Sequence, residues 1–223
     1  MKVEKGWTLF LDRDGVINKE LNEDYVKHLD EFHWEHGALE AIATLSKLFS
    51  KVYIVTNQRG VGIGVMSEAD LKHIHDYMLK EIVSSGGRLD GIYYCADADR
   101  NSLMRKPRPG MANKAKSEHP EIDFAKSVMV GNSISDMEFG RSVGMTTVFI
   151  DDKGSRNRKK EESMDYIFFT LKEFAAKLSG EKLTDTDIVD PYGKNYNFYK
   201  NSRDEIEKEL IKILKNLDKL EGI

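Results

Sequence analysis

The sequence is poor in cysteine, and Cys95 is the single cysteine among its 223 residues. An intramolecular disulfide is therefore excluded. Long apolar runs are lacking too, since no stretch approaches the ~20 residues that span a bilayer. The opening residues, MKVEKGW, lack the apolar core of a secretion signal. We therefore expect a cytoplasmic protein without a membrane partner.

A basic excess is also lacking, since 34 lysines and arginines stand against 38 aspartates and glutamates and give a formal net charge of -4. Nucleic-acid binders usually carry a positive excess, so the composition argues against a nucleic-acid partner. The hydrophobic fraction of 40% is enough for a sizeable core. The length fits one domain of ordinary size with an appendage.

Short apolar runs alternate along the chain with stretches of helical period. Each run is apolar on both faces, as in buried parallel strands. The runs are Trp7 to Leu11, Val52 to Val55, Gly91 to Cys95, Val128 to Val130 and Thr147 to Ile150. The alternation indicates β-α-β units, and hence an α/β fold with a doubly wound parallel sheet.

Helices are predicted between these runs and after them. The helical stretches are Ala38 to Phe49, Ser67 to Gly86 and Ser133 to Val143. A last short strand and helix fall within Tyr166 to Leu178. Beyond Gly180 the composition changes, and Arg203 to Leu220 has the spacing of an amphipathic helix. We predict a domain over residues 1–180 and a C-terminal helical extension over 181–223.

Polar residues follow the first two strands directly. Asp12-Arg13-Asp14-Gly15 follows the first, and Thr56-Asn57-Gln58-Arg59-Gly60 follows the second. Ligands of such sheets bind beyond the carboxyl ends of the strands, so these residues should meet at one rim. One carboxylate can attack phosphorus if a cation offsets the repulsion, and another can transfer protons. Hydroxyl and amide donors beside glycines suit a phosphate cradle.

Two later stretches extend this pattern. Lys106, in the basic stretch Arg105-Lys106-Pro107-Arg108, precedes a helix start and can neutralise a phosphoryl group. Asp136 lies near the helix N-terminus after the fourth run and can reach a hard cation. Each stretch alone also fits a surface loop, a glycine turn or a helix cap. Their order along the chain favours the functional interpretation.

This order resembles the haloacid dehalogenase superfamily of phosphatases, over about Trp7 to Leu178. Within it, LFLDRDGVIN, VTNQRGVGIG and MRKPRPGM resemble the D-glycero-D-manno-heptose 1,7-bisphosphate phosphatases, which are close relatives of the histidinol-phosphate phosphatases. The resemblance implies a capless Rossmann-like domain and a small phosphorylated metabolite as substrate. It also implies Mg²⁺ and an aspartyl-phosphate intermediate.

The resemblance further implies a role for individual residues. Asp12 would be the nucleophile and a magnesium ligand. Asp14 would be the general acid and base, and would bind the metal through its backbone carbonyl. The implied phosphate and substrate contacts are Thr56, Asn57, Lys106 and Arg105. Arg59 follows the phosphate cradle and is a further candidate contact.

The chain departs from the family pattern at two places. Asn132 stands where the family has a metal-binding aspartate, so the predicted ligands are Asp12, Asp14, Asn132 and Asp136. Looser magnesium binding follows, because an amide brings no charge. Many relatives hold a structural zinc with Cys-x-His and Cys-x-Cys, whereas this chain has Cys95-Ala96-Asp97 and Ser102-Leu103-Met104. One cysteine cannot form a thiolate-rich tetrahedral site, so we expect no structural zinc.

Three functions stay open at this point. The first is hydrolysis of heptose 1,7-bisphosphate at the C7 phosphate. The second is hydrolysis of histidinol phosphate, whose cationic ring would meet acidic and aromatic residues at Glu20, Glu23, Asp24 and Tyr25. The third is a non-catalytic binding protein that kept the fold. The six histidines show no ligand pattern, and we expect surface or packing roles for them. The protein is expected to be a monomer or a homodimer.

Overall fold

The computed structural model describes residues 1, 3, 6–21, 24–151 and 163–183. These residues contain one six-stranded, all-parallel sheet with the order β3-β2-β1-β4-β5-β6. Its strands are β1 (Thr8–Leu11), β2 (Lys51–Asn57), β3 (Gly91–Cys95), β4 (Ser127–Gly131), β5 (Thr146–Ile150) and β6 (Tyr166–Phe168). The sheet confirms the predicted α/β doubly wound fold, and each predicted apolar run falls on a strand.

Helices connect the strands along the chain. They are α1 (Ala38–Leu48), α2 (Arg59–Gly62), α3 (Glu68–Ser84), α4 (Gly110–Glu118), α5 (Ile134–Ser142) and α6 (Leu171–Ser179). The predicted N-cap at Ser67 is confirmed, because its side chain accepts a hydrogen bond from the backbone N–H of Asp70. The carboxylate of Asp70 accepts from the backbone N–H of Ser67 in return, which completes a capping box.

The core lies on both faces of the sheet, because neighbouring residues of a strand point to opposite faces. Leu9 and Leu11 of β1 belong to a buried apolar cluster with side chains of α1, α3 and α6. Phe10 belongs to a second cluster with side chains of α4 and α5. Burial on both faces explains why the strands read as continuous apolar runs.

The strand order reverses between β1 and β4. From β1 the chain adds β2 and β3 on one side, and it then crosses to add β4, β5 and β6 on the other. In open parallel sheets, the crevice at such a switch point is where ligands bind. Asp12 follows β1 and Asn132 follows β4, so the two residues flank this crevice.

The predicted C-terminal extension lies almost wholly outside the described residues, which end at Leu183. Its amphipathic helix and the boundary near Gly180 therefore stay predictions. α6 ends at Ser179 and is followed by Gly180 in the left-handed conformation, φ 77°. Across the part of the chain with described coordinates, every helix is too short or too polar to cross a bilayer.

Candidate active site

A cavity of about 250 Å³ lies at the switch point of the sheet. It is lined by seven of the nine residues that the sequence singles out: Asp12, Asp14, Thr56, Asn57, Lys106, Asn132 and Asp136. The other two, Arg59 and Arg105, do not line it. We call the lining residues at or just after the carboxyl ends of β1, β2 and β4, together with Lys106, the switch-point rim.

Asp12 is placed by the central strands. Its backbone N–H donates to the carbonyl of Val130 at 2.9 Å, which ties the end of β1 to β4. Its Oδ1 accepts a hydrogen bond from Nζ of Lys106 at 2.7 Å. Burial, with a contribution from Asp136 and against the effect of Lys106, raises the pKa of Asp12 to about 7. A second cation beside Asp12 would therefore favour the charged, nucleophilic form.

Lys106 is the buried cation beside Asp12, with 3% of its surface exposed. Its Nζ lies 2.7 Å from Asp12 Oδ1 and 2.6 Å from Asp136 Oδ1. It also donates to the carbonyl of Val55 at 2.8 Å. Burial acts to lower the pKa of Lys106, but the two carboxylates outweigh burial and the pKa is raised. Lys106 is therefore a fixed positive charge beside the candidate nucleophile.

Asp136 joins the rim to the start of α5. Its Oδ2 accepts hydrogen bonds from the backbone N–H of Ser133 at 3.0 Å and from the Ser133 hydroxyl at 2.7 Å. The Ser133 side chain in turn accepts from the backbone N–H of Asp136, which forms a capping box. Asp136 thus caps a helix with one oxygen and contacts Lys106 with the other.

Asp14 is surrounded by hydrogen-bond donors. Its Oδ1 accepts from Nη2 and Nε of Arg13, at 2.8 and 3.2 Å, and from Nδ2 of Asn18 at 2.9 Å. Its Oδ2 accepts from Nε2 of Gln58 at 2.9 Å. Burial acts to raise the pKa of Asp14, but Arg13, Asn18 and Gln58 hold it below its ordinary value. Asp14 is therefore held as a charged carboxylate in one orientation.

Arg13, Asn18 and Gln58 were missed as functional residues by the sequence analysis. All three lie inside the motifs DRDGVIN and TNQRG, so their position next to Asp14 and Thr56 was an available signal. Gln58 links the two motifs directly, because its Nε2 also lies 2.9 Å from the Thr56 hydroxyl. Arg13, Asn18 and Gln58 thus hold the side chains of Asp14 and Thr56 in place.

Asn57 connects the end of β2 to the loop that carries Lys106. Its Oδ1 accepts a hydrogen bond from the backbone N–H of Lys106 at 3.0 Å, and its Nδ2 donates to the carbonyl of Lys106 at 3.3 Å. This two-way contact spans 49 positions of the chain. Asn57 therefore fixes the backbone from which the Lys106 side chain reaches Asp12.

Arg59 and Arg105 are placed away from the cavity lining. Nε of Arg59 donates to the carbonyl of Ala98 at 3.0 Å, so its side chain runs toward the loop after β3. Nη1 of Arg105 is buried and has no hydrogen-bond partner. The fold therefore does not bring these two predicted substrate contacts together with the other seven residues.

Asn132 packs tightly against the loop after β1. Gly15 has a φ of 79°, in the left-handed region that favours glycine, and a Cβ there would lie 1.9 Å from Nδ2 of Asn132. The same Nδ2 lies 3.4 Å from Oε2 of Glu20. The close approach of Asn132 therefore depends on a glycine at position 15. The carboxylate of Glu20 lies beside the Asn132 amide.

The donor set of the cavity fits a hard divalent cation. Its lining has an acidic excess, with five carboxylates and two cations: Asp12, Asp14, Glu20, Asp24, Asp136, Arg13 and Lys106. Within the described ranges, no three His, Cys, Asp or Glu side chains group closely enough to hold an ion by themselves. Carbonyl, amide, water and substrate oxygens would have to complete the sphere, as is usual for Mg²⁺.

The four positions at which the family pattern predicts zinc ligands lie together in this fold. We call Cys95–Met104 the closed loop. The Ser102 hydroxyl donates to Oδ2 of Asp97 and accepts from the backbone N–H of Met104 at 3.1 Å. Sγ of Cys95 lies 3.7 Å from the Asp97 carboxylate and 3.9 Å from the Ser102 hydroxyl. Hydrogen bonds thus connect the residues that replace the zinc ligands.

Comparisons with known proteins agree with this geometry. The HAD-hydrolase-like family model matches residues 103–174. The D-glycero-alpha-D-manno-heptose-1,7-bisphosphate 7-phosphatase of Mycobacterium tuberculosis is 39% identical over 138 residues, which cover 61% of this chain and 73% of the relative. The D-glycero-beta-D-manno-heptose-1,7-bisphosphate 7-phosphatase of Photorhabdus laumondii is 32% identical over 183 residues, covering 78% and 96%.

A solved structure is also similar. It is the D,D-heptose 1,7-bisphosphate phosphatase of B. bronchiseptica, crystallised with magnesium and phosphate. It superimposes with a TM-score of 0.70 and is 30% identical, and the match covers 82% of this chain and 100% of that one.

The fold and the switch-point rim define a phosphatase of the haloacid dehalogenase superfamily. Within it, the chain belongs to the family of the D-glycero-D-manno-heptose 1,7-bisphosphate 7-phosphatases. The resemblance noted from the motifs is thereby confirmed.

Proposed function

We propose that the protein removes the C7 phosphate of D-glycero-D-manno-heptose 1,7-bisphosphate through an aspartyl-phosphate on Asp12, with Mg²⁺ as cofactor. One observation carries the proposal. A buried carboxylate stands at the switch point with a buried lysine 2.7 Å away, in a chain that shares 39% identity with a phosphatase of this substrate. The superimposed relative was crystallised with magnesium and phosphate, the two components that the proposed site needs.

The proposed reaction has two steps. Asp12 attacks phosphorus, the bond from phosphorus to the C7 oxygen breaks, and Asp14 gives that oxygen a proton. Asp14 then takes a proton from water, and the water oxygen attacks phosphorus and releases phosphate from Asp12. Lys106 stays beside Asp12 throughout and balances part of the charge on the phosphoryl oxygens.

The donors around Asp14 set its charge state. Arg13, Asn18 and Gln58 all stabilise its charged form, which is the form that accepts a proton from water. For the first step, Asp14 must be protonated against these contacts. A lowered pKa makes Asp14 a stronger acid in the first step and a weaker base in the second.

Magnesium, when bound, would neutralise charge between Asp12 and the phosphate and orient the two groups. Asp12, the backbone carbonyl of Asp14 and the amide oxygen of Asn132 are the residues that would hold it. Both oxygens of Asp136 already have contacts within the chain, so we assign it a contact through water. The neutral amide at Asn132 supports the expectation of looser magnesium binding.

Histidinol phosphate stays the second candidate substrate because acidic and aromatic side chains line part of the cavity. Glu20, Asp24 and Tyr25 line the cavity and would suit a cationic ring. Glu23, which was grouped with them, lies outside the described residues. The third candidate, a non-catalytic binding protein, is set aside because the chain is a phosphatase by family and fold.

The test is phosphate release from both anomers of heptose 1,7-bisphosphate and from histidinol phosphate, at several magnesium concentrations. We expect turnover of one heptose anomer and its loss in Asp12→Asn. Preferential turnover of histidinol phosphate would move the assignment to the second candidate. A lack of turnover of all three at saturating magnesium would reject the proposal.

Two further assignments accompany this function. We propose that the enzyme acts in the cytoplasm on a small soluble metabolite, without nucleic acid or membrane. Light scattering on the purified protein separates monomer from homodimer. Cell fractionation tests the location.

A further inference from the structure

A buried histidine lies behind the rim, outside the cavity lining. His75 belongs to α3, is 8% exposed, and places Nε2 3.4 Å from Nη1 of Arg13. The sequence analysis expected a surface or packing role for all histidines, and His73, two residues earlier on the same helix, is indeed exposed. His75 therefore contacts the group that holds Asp14, across 62 positions of the chain.

Arg13 connects His75 to Asp14. Its side chain is 1% exposed and is among the largest fully buried side chains in the described part of the protein. Nε and Nη2 both face Oδ1 of Asp14, and Nη1 faces His75. Unpaired donors on a buried guanidinium are costly, so the partner of Nη1 helps to fix the plane of the whole group.

The chemistry of His75 suits an acceptor. Burial, followed by the charge of Arg13, lowers the pKa of His75 to about 3, against the smaller effects of Asp14 and Asp76. The ring is therefore neutral at physiological pH and has one acceptor nitrogen. With its proton on Nδ1, Nε2 can accept from Arg13.

The packing around His75 holds the ring in place. The ring of Tyr94 packs against it edge-on, with centroids 5.7 Å apart. α3 begins at the Ser67–Asp70 capping box, which fixes the helix that carries His75. His75 is thus a rigid acceptor rather than a group that moves with the loops of the rim.

We propose that His75 is a positioning residue for the phosphatase reaction, which acts through Arg13 to hold the Asp14 carboxylate in place. His75 itself touches neither the substrate nor the reacting atoms. The inference rests on the proposed function, because it assigns Asp14 the proton transfers. It adds a residue of α3 to a site otherwise built from the ends of β1, β2 and β4, the start of α5 and the Lys106 loop.

The experiment compares His75→Leu, which removes the acceptor, with His75→Gln, which restores one near the position of Nε2. We expect kcat of His75→Leu to fall roughly 10-fold, in the range seen when residues that orient a catalytic group are lost. KM and inhibition by inorganic phosphate should stay unchanged, and His75→Gln should recover most of kcat. His73→Leu is the matched control and should behave as wild type.

Two results would overturn the inference while leaving the proposed function intact. One is a wild-type kcat in folded His75→Leu. The other is a loss of kcat that His75→Gln fails to restore, or that equals the loss of folded protein measured by circular dichroism.

A spectroscopic measurement tests the contact without activity. The ¹⁵N resonances of the His75 ring should report a neutral Nδ1–H tautomer, and those of the Arg13 guanidinium should shift in His75→Leu but not in His73→Leu. An unshifted Arg13 would contradict the inference. Wild-type protein without turnover on any substrate would instead reject the proposed function, and with it the positioning role of His75.

Discussion

The switch-point rim and the closed loop are the two places where the family pattern predicts metal ligands, and this chain departs from that pattern at both. At the rim, one aspartate is replaced by Asn132, and the cavity still carries an excess of carboxylates. In the closed loop only Cys95 is left of four ligands, and the positions contact each other through hydrogen bonds. The rim therefore keeps an acidic excess that a cation can balance, whereas the side chains of the closed loop bond to one another.

Burial explains the difference. Asp12, Lys106 and Asp136 are at most 9% exposed, and buried charges must be balanced or their free energy rises by several kcal/mol. Asp97 is exposed and Ser102 is half-buried, so water and short hydrogen bonds can satisfy them. Experiments that remove charge should therefore have large effects at the rim and small effects in the closed loop.

The largest effect is expected for Lys106→Met. The change leaves Asp12 and Asp136 buried without their cation, which should lower the free energy of unfolding by about 3–5 kcal/mol. Loss of charge beside the phosphoryl group should lower kcat on the order of 10²- to 10³-fold. Urea unfolding and phosphate release measure the two effects.

Lys51→Met is the matched control for this change. Lys51 lies 3.4 Å from Asp90 and its side chain is 34% exposed, so its removal should cost about 1 kcal/mol or less. Equal losses in the two variants would contradict the contrast between a buried and a partly exposed ion pair.

The next effect concerns pH and His75. The pKa of His75 is about 3 in the folded protein, against an ordinary value of 6.5 that applies to the unfolded chain. Between pH 3 and pH 6.5, the unfolded chain therefore binds a proton at His75 that the folded protein does not bind. Stability from this group is present above pH 6.5 and is lost as the pH falls toward 3. We expect a loss of about 2 kcal/mol between pH 7 and pH 5, measured by urea unfolding.

His75→Gln should abolish this share of the pH dependence, and His73→Gln should keep it. The same slope in wild type and His75→Gln would show that other groups cause the acid sensitivity.

A smaller effect is expected when the family's ligand is restored. Asn132→Asp should lower the magnesium concentration for half-saturation roughly 10-fold, because it adds an anionic oxygen. Titration calorimetry measures binding directly, and activity against magnesium gives a second value. Since Glu20 lies beside Asn132, Glu20→Gln removes a negative charge from the site and should weaken magnesium binding.

An unchanged or weaker magnesium response in Asn132→Asp would argue that the amide does not contact the ion. In that case the excess of carboxylates at the rim would serve a different cation or the substrate itself.

The smallest effect is expected in the closed loop. Ser102→Ala removes the hydroxyl that donates to Asp97 and accepts from Met104, and it should cost about 1 kcal/mol, because water can replace most of these contacts. Kcat should not change. Elemental analysis should find well under one zinc per chain, and a chelator should leave the apparent Tm in place in magnesium-free buffer. Stoichiometric zinc would show that this loop resembles its relatives after all.

The apolar runs predicted the strands because burial on both faces leaves a direct mark on the sequence. The loops at the ends of those strands were predicted to form the site because ligands of parallel sheets bind beyond the carboxyl ends of the strands. The partners of the site residues were harder to predict. His75 and Arg13 meet because α3 packs on the face of the sheet to which Leu9 and Leu11 of β1 point. Helical spacing alone does not say which side of α3 carries a functional residue.

Other side chains escaped prediction because their direction depends on tertiary packing. Arg59 follows the phosphate-cradle motif and was a candidate contact, yet it begins α2 and its Nε donates to Ala98. The glycines at positions 60 and 62 favour a turn over a helix, so α2 itself was not predicted. Residue type and order predicted which residues gather, but not which way each long side chain points.

The reversal of strand order at the switch point also has a consequence for how the enzyme is made. A ribosome releases Asp12 and the β1–β2–β3 half of the sheet first, and Lys106 follows 94 positions after Asp12. Asp136 and the start of α5 emerge later still. A chain interrupted after β3 carries Asp12 but lacks Lys106 and the start of α5 with Asp136. The active site is therefore complete only after most of the sheet has been synthesised. Partial translation products should be inert toward phosphate esters in the cell.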